Sequence, residues 1–224
     1  MNTRVALCAV AALLCSTRAL AGTYLEASRT DLARPLDPPA TERMWFAGGS
    51  FRLENESGSA VEIFKDEALY LLRPLRKRYA EYEEVRDARS GTQRVATETS
   101  RTETVFGRTC TVWEITANGA EAQELCVVPA ASIPHGMQIL DEMRKVGALV
   151  EARDLATRLS NSAAATWANL DLVKGIPVLA RQFHDGHAVT ETEVTAIRAD
   201  KVPLNAFDLP AGYRRQQIAQ RDHI

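Results

Sequence analysis

Short apolar runs, separated by glycine, proline and polar residues, follow one another closely through the first half of the chain. Apolar runs of about four to eight residues that are bounded by turn residues are typical of β-strands. Leu32–Ala40 contains Pro35, Pro38 and Pro39 and is predicted to be a loop. We therefore predict an antiparallel meander. Its strands are Met44–Glu54, Val61–Phe64, Leu69–Leu72 and Arg78–Val85, and a first strand at Tyr24–Thr30 precedes the loop.

Apolar and polar residues alternate along Met44–Glu54. If this run is one strand, the pleat sends most of its apolar side chains to one face and its charges to the other. Gly48-Gly49 would then permit a bulge or a close backbone approach inside the strand. The apolar face of the run carries Trp45, Ala47, Phe51 and Leu53. The predicted inward residues of the next two strands are Val61, Ile63, Leu69 and Leu71.

The segment Thr109–Val128 is predicted to be a β-hairpin with a disulfide. If Ala117-Asn118-Gly119 is a three-residue loop with Gly119 left-handed, Cys110 lies opposite Cys126. We interpret the pair as a structural staple, because its spacing differs from the C-x-x-C arrangement of redox switches. One face of the hairpin carries Trp113, Ile115, Leu125 and Val127. The other carries Val112, Glu114, Glu124 and both cysteines.

The longest helical pattern extends from Pro129 to Leu159, which predicts a helical insertion at about residues 132–160. Two apolar stripes repeat at helical spacing on roughly opposite sides. Either the helix breaks near Gly147–Glu151 or its two halves bury opposite sides. The first stripe is Ile139, Met143, Val146 and Val150. The second is Ala148, Ala152, Leu155 and Leu159.

Two further stretches complete the predicted sheet. Ala88–Thr104 is rich in serine, threonine and arginine, which suits an exposed edge strand or a loose excursion. A last hairpin joins Leu172–Phe183 to His187–Ala199 through a turn at Asp185-Gly186. The fold class that this pattern predicts is mainly β with a helical cover, an α+β protein.

The first 21 residues resemble a secretion signal. Arg4 precedes the apolar run Val5–Leu14, and Ala19-Leu20-Ala21 has the small-residue form of a cleavage site. We expect cleavage before Gly22, which leaves residues 22–224 as a single domain in the periplasm. Lipidation of Cys15 is an alternative, although Leu14 stands where lipid-attachment signals usually have a small residue.

Export changes the charge and the cysteine content. The whole chain has a net charge of −2. Loss of Arg4 and Arg18 with the signal makes the mature charge about −4, which disfavours a general nucleic-acid binder. The mature chain keeps Cys110 and Cys126, and two cysteines in an oxidising compartment are expected to pair.

Few residues suggest chemistry. His184 and His187 could bind a metal with Asp185 beside them, but Asp-Gly between two runs is a common hairpin turn, which is the simpler interpretation. The sequence contains no nucleophile elbow, glycine-rich phosphate loop or H-E-x-x-H pattern. We therefore predict no catalytic residues and no cofactor.

Basic residues gather at one predicted turn. Arg73, Arg76, Lys77 and Arg78 form a compact corner after the strand Leu69–Leu72. Such a corner could make peripheral contact with anionic lipid headgroups or with an acidic partner. A solvated turn is the plainer interpretation.

Four segments carry a family resemblance. Met44–Glu54 ends in an Arg-x-Glu step, and Glu62–Tyr79 ends in a tyrosine after basic residues. Thr102–Cys110 leads into a Gly-x-x-Cys strand, and Phe207–Tyr213 closes with Pro-x-Gly-Tyr. With these motifs the chain resembles the LolA/LolB-like envelope superfamily, and more closely a bacterial family of exported proteins known as a domain of unknown function.

The resemblance implies an open, strongly curved antiparallel sheet, a half-barrel, whose concave apolar face is covered by a helix lid. In relatives that carry lipoproteins, acyl chains occupy the concavity. This chain differs from those carriers in its disulfide hairpin and in lacking a match to their cargo-transfer residues.

The expected function is periplasmic binding of an apolar ligand (a lipid, acyl chain or lipopeptide) under the helix lid, without catalysis. One alternative is an envelope protein-interaction or stress-sensor module with the same fold, and a second is a metal-binding protein at the His184/His187 turn. The predicted cavity residues are Trp45, Phe51, Leu53, Ile63, Leu69, Leu71, Trp113, Ile115, Leu125, Val127, Ile139, Met143, Val146 and Val150.

Overall fold

The computed structural model describes residues 19–66, 68–82, 93–152 and 169–216. Its β-strands are β1 (Ala19–Asp31), β2 (Ala40–Ala47), β3 (Ser50–Asn55), β4 (Val61–Lys65), β5 (Ala68–Arg73), β6 (Arg78–Tyr82), β7 (Arg94–Val105), β8 (Arg108–Ala117), β9 (Ala120–Val128), β10 (Ile176–His184), β11 (His187–Pro203) and β12 (Arg214–Arg215). The α-helix α1 is Gly136–Ala152. Short 3-10 helices lie at Pro74–Arg76, Ala130–Ser132 and Leu204–Phe207.

All the described strands belong to one open, curved sheet. Their order is β12-β6-β5-β4-β3-β2-β1-β11-β10-β9-β8-β7. Neighbouring strands are antiparallel except β12 and β6, which are parallel. The predicted mainly β meander is confirmed, and the Ser/Thr/Arg-rich stretch supplies the edge strand β7. The register of β7 with β8 is interrupted between Glu98 and Thr102.

Strand β1 joins the two halves of the sheet, because it pairs with β2 on one side and with β11 on the other. It begins at Ala19, before the predicted cleavage site at Gly22. Gly22 lies against β2, where an added Cβ would come within 2.4 Å of the carbonyl oxygen of Phe46. The predicted loop follows β1, and β2 begins at Ala40.

The prediction of a single strand over Met44–Glu54 is wrong. Gly48 and Gly49, with φ of +58° and +80°, form a hairpin turn between β2 and β3. Both angles lie in the region that glycine adopts readily. The turn places Phe46 opposite Phe51. Directly paired residues share a face, so Phe46 joins Phe51 on one face and Trp45 lies on the other.

Helix α1 packs across one side of the sheet, which we call the helix face. It contacts β1 and β2, and its Ile139 and Met143 are both 0% exposed. The strand residues of the same buried cluster on this face include Leu25, Ala27, Met44, Phe46, Phe51, Leu53, Phe64, Leu69, Trp113, Ile115, Leu125 and Val127. Burial of large apolar side chains here supplies most of the hydrophobic stabilisation.

A second apolar cluster occupies the opposite face. Residues 204–213, which we call the C-terminal strap, cross this face and bury Phe207 against β4 and β5. The strap is held by a hydrogen bond from Arg52 Nη1 to the carbonyl oxygen of Ala206 at 3.0 Å and by the Lys65–Asp208 ion pair. The buried members of the cluster are Ala47, Val61, Ile63, Leu72, Val202 and Phe207.

The β8–β9 hairpin contains the predicted disulfide, with Cα atoms of Cys110 and Cys126 5.3 Å apart. Its loop is Asn118-Gly119 rather than three residues, and Val112, not Cys110, lies opposite Cys126. The register differs from the predicted one by two residues, so every side chain keeps its predicted face. The disulfide closes a short loop and contributes on the order of 3 kcal/mol in the chain-entropy model.

The helical insertion and the last hairpin agree with the sequence pattern where they are described. Helix α1 covers residues 136–152 of the predicted 132–160. It begins after residues 132–135, which are not α-helical, and residues 153–160, with Leu155 and Leu159, lie outside the described residues. The last hairpin turns at Asp185-Gly186, as predicted.

Candidate ligand-binding face

Most of the predicted cavity residues come together on the helix face. Eight strand residues and two helix residues lie there: Phe51, Leu53, Leu69, Leu71, Trp113, Ile115, Leu125, Val127, Ile139 and Met143. Val146 and Val150 belong to α1 as predicted. The strand residues come from both halves of the sheet, so the apolar surface is continuous across β1.

Two predicted cavity residues lie elsewhere. Trp45 packs against Tyr24 on the opposite face, with ring centroids 5.5 Å apart. Ile63 is buried on that same face beside the C-terminal strap. The prediction for Trp45 failed because the Gly48-Gly49 turn reverses the chain. The prediction for Ile63 failed because Phe207, far away in sequence, covers the second face of β4.

Other residues of the apolar surface were missed. Met44 and Phe46 are each 1% exposed on the helix face, and Phe64 stacks on Phe51 at a centroid distance of 5.8 Å. Two consecutive glycines between apolar runs are a hairpin signal. Taken as a turn, Gly48-Gly49 would have assigned Met44 and Phe46 to the same face as Phe51.

The helix face becomes polar toward one end of the sheet, which we call the polar end. Here Arg29 donates to Glu42 at 3.0 Å, and Glu42 is 4% exposed. On the other half of the sheet, Asn169 Nδ2 donates to Gln123 Oε1 at 2.7 Å. Arg94 Nη1 donates to Asn169 Oδ1 at 2.9 Å. The surface under α1 therefore has an apolar part and a hydrogen-bonding part.

Glu62 is the most perturbed carboxyl of the polar end. It lies opposite Leu53 and Leu71, so its side chain belongs to the helix face. Burial, and secondarily the nearby charge of Glu42, raises the pKa of Glu62 to about 7, against an opposing effect of Arg73. Its buried Oε2 has no hydrogen-bond partner among the described residues. Sequence alternation suggested an outward side chain here, since valine and isoleucine flank Glu62.

The opposite face carries an ion-pair network in the β7–β11 half of the sheet. Arg181 Nη1 and Nη2 donate to the two carboxylate oxygens of Glu103 at 2.8 and 2.9 Å. Arg181 also pairs with Glu191 at 2.8 Å and with Glu124 at 3.3 Å. The hydrogen bonds from Arg181 lower the pKa of Glu103 below its usual value. We call these four residues the arginine network.

The histidine turn is fully on the surface. His184 pairs with His187 across the turn, and both are exposed. His184 Nε2 lies 3.5 Å from Asp185 Oδ2. Within the described residues, no group of three or more His, Cys, Asp or Glu side chains is placed to hold a metal ion.

Two observations bear on location. The Cys110–Cys126 disulfide is typical of proteins that fold in an oxidising compartment, which supports export. In the described part of the chain, no helix has the length and apolar character needed to cross a membrane.

The architecture is a single curved sheet that carries a disulfide and has a helix across one face. The chain belongs to the family described as Domain of unknown function (DUF4412), whose model matches residues 50–213. This confirms the family that the four motifs predicted. No curated protein matches the sequence.

The chain is similar to several solved structures, of which three follow. An uncharacterized conserved protein from Thermus thermophilus has a TM-score of 0.53 at 9% identity, over 87% of this chain and 89% of that one. A chain of the Pseudomonas aeruginosa MucA/MucB complex scores 0.41 at 12% identity, over 86% of this chain and 56% of that one. A LolA superfamily protein from Nitrosomonas europaea scores 0.30 at 7% identity, over 86% and 90%. The first likeness supports the fold.

Proposed function

We propose that this protein is an exported, non-catalytic binding protein that holds an apolar ligand, such as an acyl chain, between the helix face and α1. The observation that carries the proposal is the position of Ile139 and Met143. Both are 0% exposed against an apolar surface built from β1 to β5 and β8 to β10. If α1 moves away, that surface becomes a broad apolar trough.

In this proposal the helix face is the concave side of a half-barrel and α1 is its lid. Under the proposal, the described arrangement would be the closed state, with Ile139 and Met143 in the place that a ligand would take. One polar link of α1 runs from Arg144 to the carbonyl oxygens of Leu170 and Val173, at 3.4 and 3.2 Å. Links of this kind to flanking loops, rather than to the strands, suit a cover that moves as a unit.

The polar end suits the polar group of an acyl ligand. A hydroxyl, amide or amine of the ligand would meet Glu62, whose Oε2 is buried and lacks a partner among the described residues. A hydrogen bond donated to a buried carboxyl oxygen recovers part of the free energy lost when that oxygen is desolvated. The apolar part of the helix face would then hold the chain of the ligand.

A second candidate function is a protein-interaction module. The observation that favours it is that the apolar side chains under α1 are already well buried by one another, with Leu25, Phe46 and Ile115 each 1% exposed or less. Under this reading α1 is a permanent part of the core, and a partner protein would bind elsewhere.

The decisive experiment is to express the chain with its own leader in a Gram-negative periplasm and to purify the mature protein without detergent. Extraction with organic solvent and mass spectrometry then identify bound lipids. A stoichiometric acyl species supports the ligand-binding proposal. Folded protein that carries no lipid, and that does not bind a dansyl-labelled fatty acid, overturns it in favour of a protein-interaction role.

The paired variants Met143→Asp and Met137→Asp test whether α1 is the cover. Met143 is 0% exposed and Met137 is 66% exposed on the same helix. Met143→Asp should weaken binding of the dansyl-labelled fatty acid by about tenfold or more, because it places a carboxylate against the apolar surface. Met137→Asp should leave binding unchanged. Equal effects of the two variants on a folded protein would contradict the proposal.

A further inference from the structure

Three arginines lie side by side at the corner between β5, β6 and β12. Arg73 lies directly opposite Arg78 in the antiparallel β5–β6 pair, and Arg78 lies beside Arg214 in the parallel β6–β12 pair. Neighbouring strands are about 4.8 Å apart, and side chains at paired positions point to the same side. The three guanidinium groups therefore form a row on one face, which we call the arginine row.

Such a row is unfavourable within an isolated protein, because like charges at directly opposite positions destabilise a strand pair. Among the described residues, none of the three arginines forms a salt bridge, although Arg215 next to Arg214 pairs with Glu81 at 3.4 Å. Glu62 lies near Arg73, but its burial favours the neutral carboxyl. Among the described residues, no carboxylate is paired with the row, which favours an anionic partner outside the chain.

An apolar side chain stands at the apex of the same corner. Leu75, in the 3-10 helix Pro74–Arg76, is 89% exposed. The residues around it, Arg76 and Lys77, are exposed as well. Lys77 holds a left-handed conformation with φ of +47°, so the turn is tight and directs the chain straight back into β6.

We infer that this corner docks on the surface of a bilayer that contains anionic phospholipid. The arginine row, together with Arg76 and Lys77, would contact the phosphate groups, and Leu75 would enter the boundary between the headgroups and the acyl chains. A lipid surface fits this combination better than an acidic protein does, since an isolated apolar tip surrounded by cations matches an interface that is anionic outside and apolar inside. The inference does not depend on the ligand proposed for the helix face.

The test is co-sedimentation of the mature protein with vesicles of phosphatidylcholine, with and without phosphatidylglycerol. Binding should require phosphatidylglycerol and should fall steeply as salt rises, because each contact is electrostatic. The triple variant Arg73→Gln/Arg78→Gln/Arg214→Gln should bind at least tenfold more weakly, since each basic residue near an anionic surface is worth about fivefold in affinity. The single variant Leu75→Asp, which keeps the arginine row, should also bind the vesicles more weakly.

A matched control removes the same number of charges elsewhere. Arg108, Lys174 and Lys201 are exposed and lie outside the corner. The triple variant Arg108→Gln/Lys174→Gln/Lys201→Gln should bind the vesicles within about twofold of the unaltered protein. Folding of each variant is checked from its melting transition. Failure of the unaltered protein to bind phosphatidylglycerol vesicles at low salt would overturn the inference, as would equal losses in the two triple variants.

Discussion

Charged side chains gather on neighbouring strands at two places in the sheet, and the two places differ in how the arginine charge is compensated. In the arginine network, Arg181 pairs with Glu103 and Glu191 at 2.8 Å and with Glu124 at 3.3 Å. In the arginine row, Arg73 and Arg78 face each other with Arg214 beside them. The arginine network contains its own carboxylates, whereas no described carboxylate forms an ion pair with the arginine row.

Two carboxyl groups show the same contrast. Arg181 lowers the pKa of Glu103, because its hydrogen bonds favour the carboxylate. Burial raises the pKa of Glu62 to about 7, because the carboxylate loses its hydration. The difference teaches that the β7–β11 half uses its polar groups to hold the sheet together. At Glu62 and at the arginine row, the β2–β6 half keeps polar groups in conditions that cost stability, and such conditions are common at functional sites.

The largest expected effect is a pH-dependent stabilisation by Glu62→Gln. The folded-state pKa of Glu62 lies above its unfolded value of 4.5, so ionisation opposes folding. This penalty is absent below about pH 4.5, grows between about pH 4.5 and 7, and is complete above pH 7. The variant should therefore raise the free energy of unfolding at pH 8 by up to about 3 kcal/mol, and should lose that advantage at pH 4.

Urea denaturation at pH 4 and at pH 8 measures the effect. Glu121→Gln, on an exposed position of β9, is the matched control and should not change the pH dependence. An advantage of Glu62→Gln that is the same at both pH values would show that packing, and not ionisation, is responsible.

The second prediction breaks the arginine network. Arg181→Met keeps most of the apolar stem but removes the guanidinium that Glu103 and Glu191 share, while the nearly buried Glu124 keeps its pair with Arg101. We expect a loss of about 2 kcal/mol in the free energy of unfolding at pH 7, less than for a fully buried ion pair because Arg181 is one quarter exposed. Urea denaturation measures the loss. Arg34→Met, which removes an exposed pair with Asp31, should have no measurable effect, and similar losses in both variants would contradict the prediction.

The smallest expected effect comes from the arginine row. Arg78→Glu places a carboxylate between Arg73 and Arg214 and replaces repulsion by attraction. We expect a gain of about 0.5 kcal/mol in the free energy of unfolding at low ionic strength, which salt should reduce. A loss of stability would mean that the row is compensated in solution and that the contrast between the two regions is weaker than the geometry indicates.

The sequence predicted local pairing well. The β8–β9 hairpin, its disulfide and the Asp185-Gly186 turn were foreseen because turn residues and alternation are encoded within short stretches. The register error in β8–β9 was harmless, since a shift of two residues preserves the faces. The arrangement of apolar residues on α1 was also predicted, because helical periodicity is visible in sequence, and Ile139 and Met143 are buried together.

Contacts between distant segments could not be predicted. Ile63 is buried by Phe207, and Arg78 acquires Arg214 as a neighbour through β12. Both contacts depend on where the C-terminal strap crosses the sheet, which no local pattern in β4 or β6 reveals. The burial of Glu62 was not predicted, for a related reason. Alternation assigns side chains to two faces of the sheet but does not show that both faces are covered.

The interrupted register of β7 has a consequence for the behaviour of the protein at high concentration. Edge strands offer a row of backbone N–H and C=O groups on which a second molecule can add a strand, and long, flat edges promote aggregation. Between Glu98 and Thr102 the ladder of β7 is broken, so this edge does not present one continuous template. At the other end of the sheet, β12 pairs with β6 and carries two arginines outward. In the described sheet, the irregular ladder of β7 and the arginines of β12 therefore both disfavour the addition of a second molecule.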